Sequence, residues 1–242
     1  MEKGNHEWVS LHQHTEYSLL DSSAKIPNLV KRAKELGMKS MAITDHGVMY
    51  GCVEFYKEAK SQGIKPIIGC EIYVSQNSMH IKQNNGKNEN YHLVLLVKNE
   101  SGYRNLMKIV STASTEGFYY KPRVDHDYLS SHSEGLIALS ACLSGEVQSN
   151  ILKDNLKRAK ETAVFYRDTF KDGFYLELQY HGIEDQIKIN KQLKLMSKEL
   201  NIPLVATNDV HYIRREDYKS HDVLLCIQTG KTVDEENRMK YP

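Results

Sequence analysis

The chain has 242 residues, 40% of them hydrophobic and 26% charged, the proportions of a folded globular protein rather than a disordered one. It carries 32 Lys and Arg against 31 Asp and Glu, a formal net charge of +1, which excludes a globally basic nucleic-acid coat and an acidic tail protein but not a local nucleic-acid site. No run of apolar residues is long enough for a transmembrane helix, and the first 15 residues contain no apolar stretch of the kind that opens a secretory signal. The four cysteines, Cys52, Cys70, Cys142 and Cys226, are widely spaced without a CxxC pair, as expected for a reduced, cytoplasmic chain. Cys52, Cys70 and Cys226 are expected to be small core residues.

Taken in order, the pattern alternates strand and helix. Residues 8–12 form a short apolar run. Ile26, Leu29, Val30, Ala33 and Leu36 recur at helical spacing and stop at Gly37. Residues 40–44 are the next expected strand, 53–62 a helix ending before Gly63, and 66–74 a β-branched third strand. Residues 92–97 are a fourth strand, followed by a helix over 103–114. Residues 136–140 are a fifth strand, then helices around Val147 and over 156–170 lead to a sixth at 174–179. A helix over 185–200, a seventh strand at 204–207 and a last helix over 216–227 complete the series. This alternation predicts an α/β fold with a mainly parallel sheet, but periodicity alone does not separate a barrel from an open doubly wound sheet. Two polar stretches interrupt it. Residues 75–90, with Asn85-Gly86 at their centre, predict a hairpin or loop with a type I′ turn, and residues 229–242 predict a tail or linker after a domain spanning 1–228.

The chemistry collects where strands end. His12-Gln13-His14 follows the first run, Thr44-Asp45-His46 the second, Gly69-Cys70-Glu71 lies in the third, Ala141-Cys142 follows the fifth and Asn208-Asp209-Val210-His211 the seventh. In parallel α/β folds functional groups gather at the carboxyl ends of strands. In an extended segment residues i and i+2 share a side, so His12 and His14 can aim at one ion, as can Asp209 and His211. Such a mixed imidazole and carboxylate set suits Zn, Mn or Fe rather than Ca. Each motif alone is a weak signal, since a His-x-His pair is more often structural. Their coincidence at strand ends is what points to a site. Asp45, beside His46, is placed to orient an imidazole. Lys121, Arg123, Arg214 and Arg215 are candidate phosphate contacts, and Tyr17, Tyr50, Tyr119 and Tyr120 candidate stacking partners for a base.

These motifs, with Asp21 and Tyr91-His92-Leu93, resemble the PHP (polymerase and histidinol phosphatase) family. The stretches LHQHTEYSLLD at 11–21, MYGCVEFY at 49–56, GFYYKPR at 117–123 and HDVLLCIQTGK at 221–231, together with residues 133–139, are similar to the branch of that family found at the N terminus of bacterial DNA polymerase III alpha subunits. The resemblance implies a distorted seven-stranded (βα)7 barrel and a trinuclear metal centre. His12, His14, Glu71 and Asp209 would hold the first ion and form the water-activating centre. Glu71, His92 and Cys142 would hold the second, and Asp21, His46 and His211 the third. A Cys142 thiolate favours Zn or Fe. The implied activity is phosphodiester hydrolysis, a 3′–5′ exonuclease that proofreads DNA. The implied partners are a DNA 3′ end, a polymerase core in the same longer chain and replicase subunits, with no membrane. Two other functions fit the same residues: a non-catalytic, metal-stabilised scaffold that supports the polymerase or docks a proofreading subunit, and a stand-alone phosphatase of the histidinol-phosphate type. His92, at the start of its apolar run, and Asp21, nine residues beyond His12, enter the ligand set on the resemblance and not on strand position.

Overall fold

The computed structural model describes residues 8–82 and 90–241. The expected Asn85-Gly86 turn lies outside the described residues. The elements run α1 (Ile26–Glu35), β1 (Ser40–Ile43), α2 (Cys52–Ser61), β2 (Lys65–Ser75), β3 (Asn90–Val97), α3 (Glu100–Thr115), β4 (Arg123–Val124), α4 (His126–Ser131), β5 (Leu136–Leu139), α5 (Glu146–Leu152), α6 (Leu156–Phe170), β6 (Phe174–Leu178), α7 (Glu184–Leu200), β7 (Leu204–Ala206) and α8 (Tyr218–Thr229). Local chemistry accounts for their limits. In α1, Pro27 occupies the first turn, Ile26, Leu29, Val30 and Ala33 are buried, and Gly37 follows at φ 77°. The side chain of Asn99 caps α3 by accepting from Gly102 N at 3.0 Å. Gly102 has no room for a side chain, because a Cβ there would lie 1.8 Å from the Gly135 carbonyl oxygen.

The sheet order is β1-β2-β3-β5-β6-β7, with β4 paired to β2. The pairs β1–β2, β2–β4, β5–β6 and β6–β7 are parallel. Strand β3 runs antiparallel to both its neighbours, with Ser75 opposite Asn90 at one end of the β2 ladder and Gly69 opposite Leu96 at the other. β4 and the short helix α4 were not expected from periodicity, being too brief to show one.

Residues 8–12 do not form the expected strand. Ser10 bridges Met41 and Gln13 bridges Val210, each as an isolated parallel pair. Ser10 O accepts from Ala42 N at 2.8 Å and Gln13 O from Thr44 N at 3.0 Å, while His14 N donates to Val210 O at 2.8 Å. This irregular segment therefore spans the gap between β1 and the chain after β7, joining the two edges of the curled sheet. The interior confirms the closure. A small apolar cluster takes Ala42 from β1, Val94 and Leu96 from β3 and Leu139 from β5, with Ile67, Tyr175, Val205 and Leu11 packed against it. The larger clusters lie between the outside of the sheet and the helices. The fold is thus a distorted α/β barrel with one inverted strand.

Candidate metal centre

Side-chain alternation carries the interior from apolar to ionisable along each strand. Ile67, Gly69, Glu71 and Tyr73 share one side of β2, as do Leu96, Val94 and His92 on β3 and Tyr175 and Glu177 on β6. The lower members fill the barrel and the upper ones meet at its top. Because β3 is inverted, its first residues lie at the end where the parallel strands finish. That reversal places His92 in the site, with His92 registered opposite Tyr73.

His12 and His14 point the same way from their extended segment, while Gln13 between them turns outward to the Ala42 carbonyl and donates its own N–H to Thr44 Oγ1 at 2.8 Å. Asp21 arrives because its loop folds back. Ser22 Oγ donates to both His14 O (3.0 Å) and His211 O (2.9 Å), and His221 on α8 holds the Asp21 carbonyl at 2.7 Å. Cys142 and Asp209 are aimed by left-handed backbone: Ala141 has φ 65° and Asp209 φ 47°. Non-glycine residues pay for that conformation, and such strain concentrates at functional sites.

Together these devices bring nine donor side chains to one place. Glu71 Oε2 lies 2.9 Å from His12 Nε2, 3.0 Å from His14 Nε2 and 3.4 Å from His46 Nδ1. Glu71 Oε1 contacts His92 Nδ1, whose partner Cys142 Sγ is 3.6 Å away. Asp209 Oδ1 lies 3.1 Å from His12 Nε2 and 3.2 Å from His14 Nε2. Asp21 Oδ2 lies 2.7 Å from His46 Nε2 and 3.5 Å from His211 Nε2. Three sets have their ligand atoms within 4.8 Å of one another: His12, His14, Glu71 and Asp209; His46, Glu71 and His92; and His14, His46 and His211.

The electrostatics are those of crowded charge. Burial would lower the His12 imidazole, but the Asp209, Glu177 and Glu71 carboxylates hold its pKa well above 6.5. Burial opposes His14 in the same way, and the adjacent Asp209 and Glu71 carboxylates raise it to about 9. His46 is lowered to about 4, first by burial and then by the charge on His14. Burial would raise the carboxyls, yet the surrounding imidazoles hold Glu71, Asp209 and Asp21 well below the carboxylate range. The Cys142 thiol is pushed up by burial and by Glu71 and Asp209. Two buried atoms in the middle of this cluster, His46 Nδ1 and Asp209 Oδ1, make no aligned hydrogen bond. Buried polar atoms are seldom left so. Paired carboxylates and imidazoles with unspent lone pairs facing one point fit a group of divalent cations.

The outer contacts fix which lone pairs those are. His12 Nδ1 meets Glu177 Oε1 at 2.7 Å, and Glu177 also accepts from Ala141 N (3.0 Å), Gln179 Nε2 (3.0 Å) and Thr207 Oγ1. An acceptor-only partner requires His12 to carry a proton on Nδ1 and makes Nε2 the nitrogen available to an ion. Ser18 Oγ donates to Asp45 Oδ1 at 2.7 Å, so it accepts from His14 Nδ1 at 3.0 Å. His211 Nδ1 donates to the Asp209 carbonyl at 2.8 Å. Asp45 thus acts on an imidazole through Ser18 rather than by direct contact; its carboxylate is taken up by Thr15 N, Thr15 Oγ1 and Ser18 Oγ. Glu177 and Ser18 were not expected from the sequence, although an acidic residue inside the apolar strand FYLEL is the kind of signal that marks Glu177.

A cavity of about 640 Å³ opens over the cluster, and Asp21, His46, His92, Cys142, Asp209 and His211 reach it. Lys121 lines it too, with Nζ 5.3 Å above the Tyr73 ring, and so do Tyr17 and Tyr50. Arg123 is a correction. It is 2% exposed, and its guanidinium is spent on the carbonyls of Gly117 (3.0 Å), Met79 (3.1 Å) and Ile81 (3.3 Å), so it holds a loop and not a phosphate. Arg214 pairs with Glu35 at 3.0 Å and is not among the cavity's lining residues. Arg215 is not among the cavity's lining residues, nor are Tyr119 and Tyr120, which stack edge-on with centroids 4.7 Å apart. Cys52, Cys70 and Cys226 are buried in the core. The stretch after α8 does not trail away: Arg238 pairs with Asp222, and Tyr241 OH lies 3.3 Å from His211 Nε2.

The family model described as the PHP domain matches residues 10–181. The chain belongs to the PHP domain family. This PHP domain is 47% identical over 234 residues to DNA polymerase III subunit alpha of Borreliella burgdorferi, covering 96% of this chain and 20% of that protein. It is 45% identical over 240 residues to DNA polymerase III subunit alpha of Thermus aquaticus, covering 98% of this chain and 20% of that protein. The PHP domain thus spans about a fifth of the length of the curated relatives it matches. Among solved structures it is similar in fold to an amidohydrolase from Chromobacterium violaceum, with a TM-score of 0.51 at 14% identity, covering 89% of this chain and 96% of that one. Among the described residues, no helix of the PHP domain is long and apolar enough to cross a membrane.

Proposed function

We propose that this PHP domain is a metal-dependent phosphodiesterase within a bacterial DNA polymerase III alpha subunit, acting as a 3′–5′ exonuclease on DNA. The observation that carries this reading is the fixing of three imidazoles: His12, His14 and His211 each spend Nδ1 on an oxygen acceptor and turn Nε2 toward shared carboxylates under an open cavity. A core held together by histidines alone has no need of such alignment. His12, His14, Glu71 and Asp209 would hold one ion, Glu71, His92 and Cys142 a second, and Asp21, His46 and His211 a third, with Zn, Mn or Fe matching the donors. Bound divalent ions make water a nucleophile near neutral pH and stabilise the attacking and leaving oxygens of an in-line displacement.

The chain's own residues do the rest. Glu71 is placed to bridge two of the ligand sets, since its two oxygens face His12 and His14 on one side and His92 on the other. Lys121 is placed on the cavity wall to take a phosphate oxygen, and Tyr17 and Tyr50 to receive a base on their rings. Ala141 and Asp209, in strained backbone, keep Cys142 and Asp209 aimed inward. The similarity to DNA polymerase III subunit alpha at 45–47% identity supports DNA as substrate, with a polymerase core and replicase subunits as partners in the cytoplasm.

The test is release of nucleotide from 3′-labelled single-stranded DNA with Mn²⁺ or Zn²⁺ added, beside a His12→Ala/His14→Ala variant prepared identically. Release by the native chain and not by the variant is the expected result. If neither releases nucleotide while the native chain carries metal, the exonuclease reading fails and a metal-stabilised scaffold takes its place.

A further inference from the structure

The stretch that follows α8 supplies one wall of the cavity, through Met239 and Tyr241. It is pinned in place. Arg238 Nη2 donates to Asp222 Oδ2 at 2.7 Å and to the Val233 carbonyl at 3.1 Å, and the Arg238 side chain is 4% exposed. Three residues on, the Tyr241 ring lies against His211 (centroids 4.6 Å apart) and His221 (5.1 Å). Held between them, the ring directs its hydroxyl to 3.3 Å from His211 Nε2.

His211 gives its Nδ1 proton to the Asp209 carbonyl, so Nε2 accepts and the phenol donates. That arrangement cannot persist with an ion on Nε2, because one lone pair serves one partner. The phenol proton must then point elsewhere than His211 Nε2. The ring stays packed between His211 and His221. The hydroxyl is left facing the cavity beside the Asp21, His46 and His211 set, where an anion bound there would present oxygens.

We infer that Tyr241 is a substrate-positioning residue, its hydroxyl donating to a non-bridging oxygen of the phosphate group bound at the Asp21, His46 and His211 end of the centre. The inference rests on the reading of the centre as a metal-dependent phosphoesterase. Tyr241, like Asp209 and His211, lies beyond the matched family segment at 10–181.

Tyr241→Phe keeps the ring packing and removes only the donor. The 242-residue chain and the variant are loaded with Mn²⁺, metal per chain is measured by elemental analysis, and inorganic phosphate is titrated calorimetrically. The expected result is equal metal content with phosphate binding weakened about tenfold in Tyr241→Phe, the worth of one hydrogen bond to a charged group. Arg238→Ala, which frees the stretch, is expected to weaken phosphate binding to a similar degree at equal metal content. Phosphate bound equally by Tyr241→Phe and native chain overturns the inference. Loss of metal from Tyr241→Phe also overturns it, making the phenol an ion ligand instead. A native chain that takes up no metal defeats the underlying reading, and the inference with it.

Discussion

His12 Nδ1 lies 2.7 Å from Glu177 Oε1, and both side chains are fully buried. Strand β6 thus contributes no atom to the donor cluster yet determines which nitrogen of His12 faces it. Glu177 can do this because Ala141 N, Gln179 Nε2 and Thr207 Oγ1 also donate to its carboxylate and hold it in place.

Glu177→Gln replaces an acceptor with a group that can also donate, releasing the constraint on His12. Metal affinity is expected to fall about 10- to 100-fold, the usual effect of losing a carboxylate behind a metal-binding histidine. Metal titration of the variant against the native chain checks this; an unchanged affinity would mean that the Glu177 contact does not set the tautomer.

The chain without metal should be most stable near pH 6.5. The His14 pKa is raised to about 9, so the native state holds a proton that the unfolded state releases from 6.5 upward. Stability from that group is complete below 6.5 and is lost as pH rises toward 9. His46 has the opposite sign: lowered to about 4, it is neutral in the fold while the unfolded chain protonates, so stability is lost as pH falls from 6.5 toward 4. Each effect is on the order of 3 kcal/mol at most. Thermal melts in chelator across pH 4–9 should trace a peak, and adding metal should flatten the alkaline side, where an ion takes over from the proton.

Arg123→Ala is expected to destabilise the fold by about 2–4 kcal/mol, since three buried carbonyls lose a charged donor together. Phosphate affinity of the folded fraction should not change. A variant with native melting temperature and weakened phosphate binding would restore Arg123 to the substrate.

Much of the architecture was legible in the sequence. Six of the expected strands stand where hydrophobic periodicity put them, because strands buried on both faces read as short apolar runs bounded by polar turns. Two features were not. The direction of β3 leaves no mark in a run such as YHLVLLV, which is apolar read either way, and only the pairing of Ser75 with Asn90 reveals the reversal. The segment around His12 reads as a strand but pairs through single bridges, since Gln13 spends its side chain on the Ala42 carbonyl. The His-x-His and Asp-x-His spacings, coinciding at strand ends, marked residues that meet in the donor cluster. Glu177 carried a readable signal, a charge within an apolar strand. Arg123 misled because a basic residue in a loop gives no sign of whether its guanidinium meets solvent or backbone carbonyls. Tyr241 lay in a stretch whose polarity suggested a linker, and its contacts depend on the Arg238–Asp222 pair, which no local pattern encodes.

The joining of the two sheet edges by residues 10–14 has a consequence for biosynthesis. Translation delivers His12 and His14 well before Asp209 and His211, which emerge only when most of this domain has been made. Until β7 and the turn after it emerge, the early histidines have no edge to bridge and Glu71 has only part of its company. An ion captured by the nascent chain would be held by a partial donor set and readily lost. The complete set can exist only once the ends have met, so metal retention would serve as a record that this domain had finished folding.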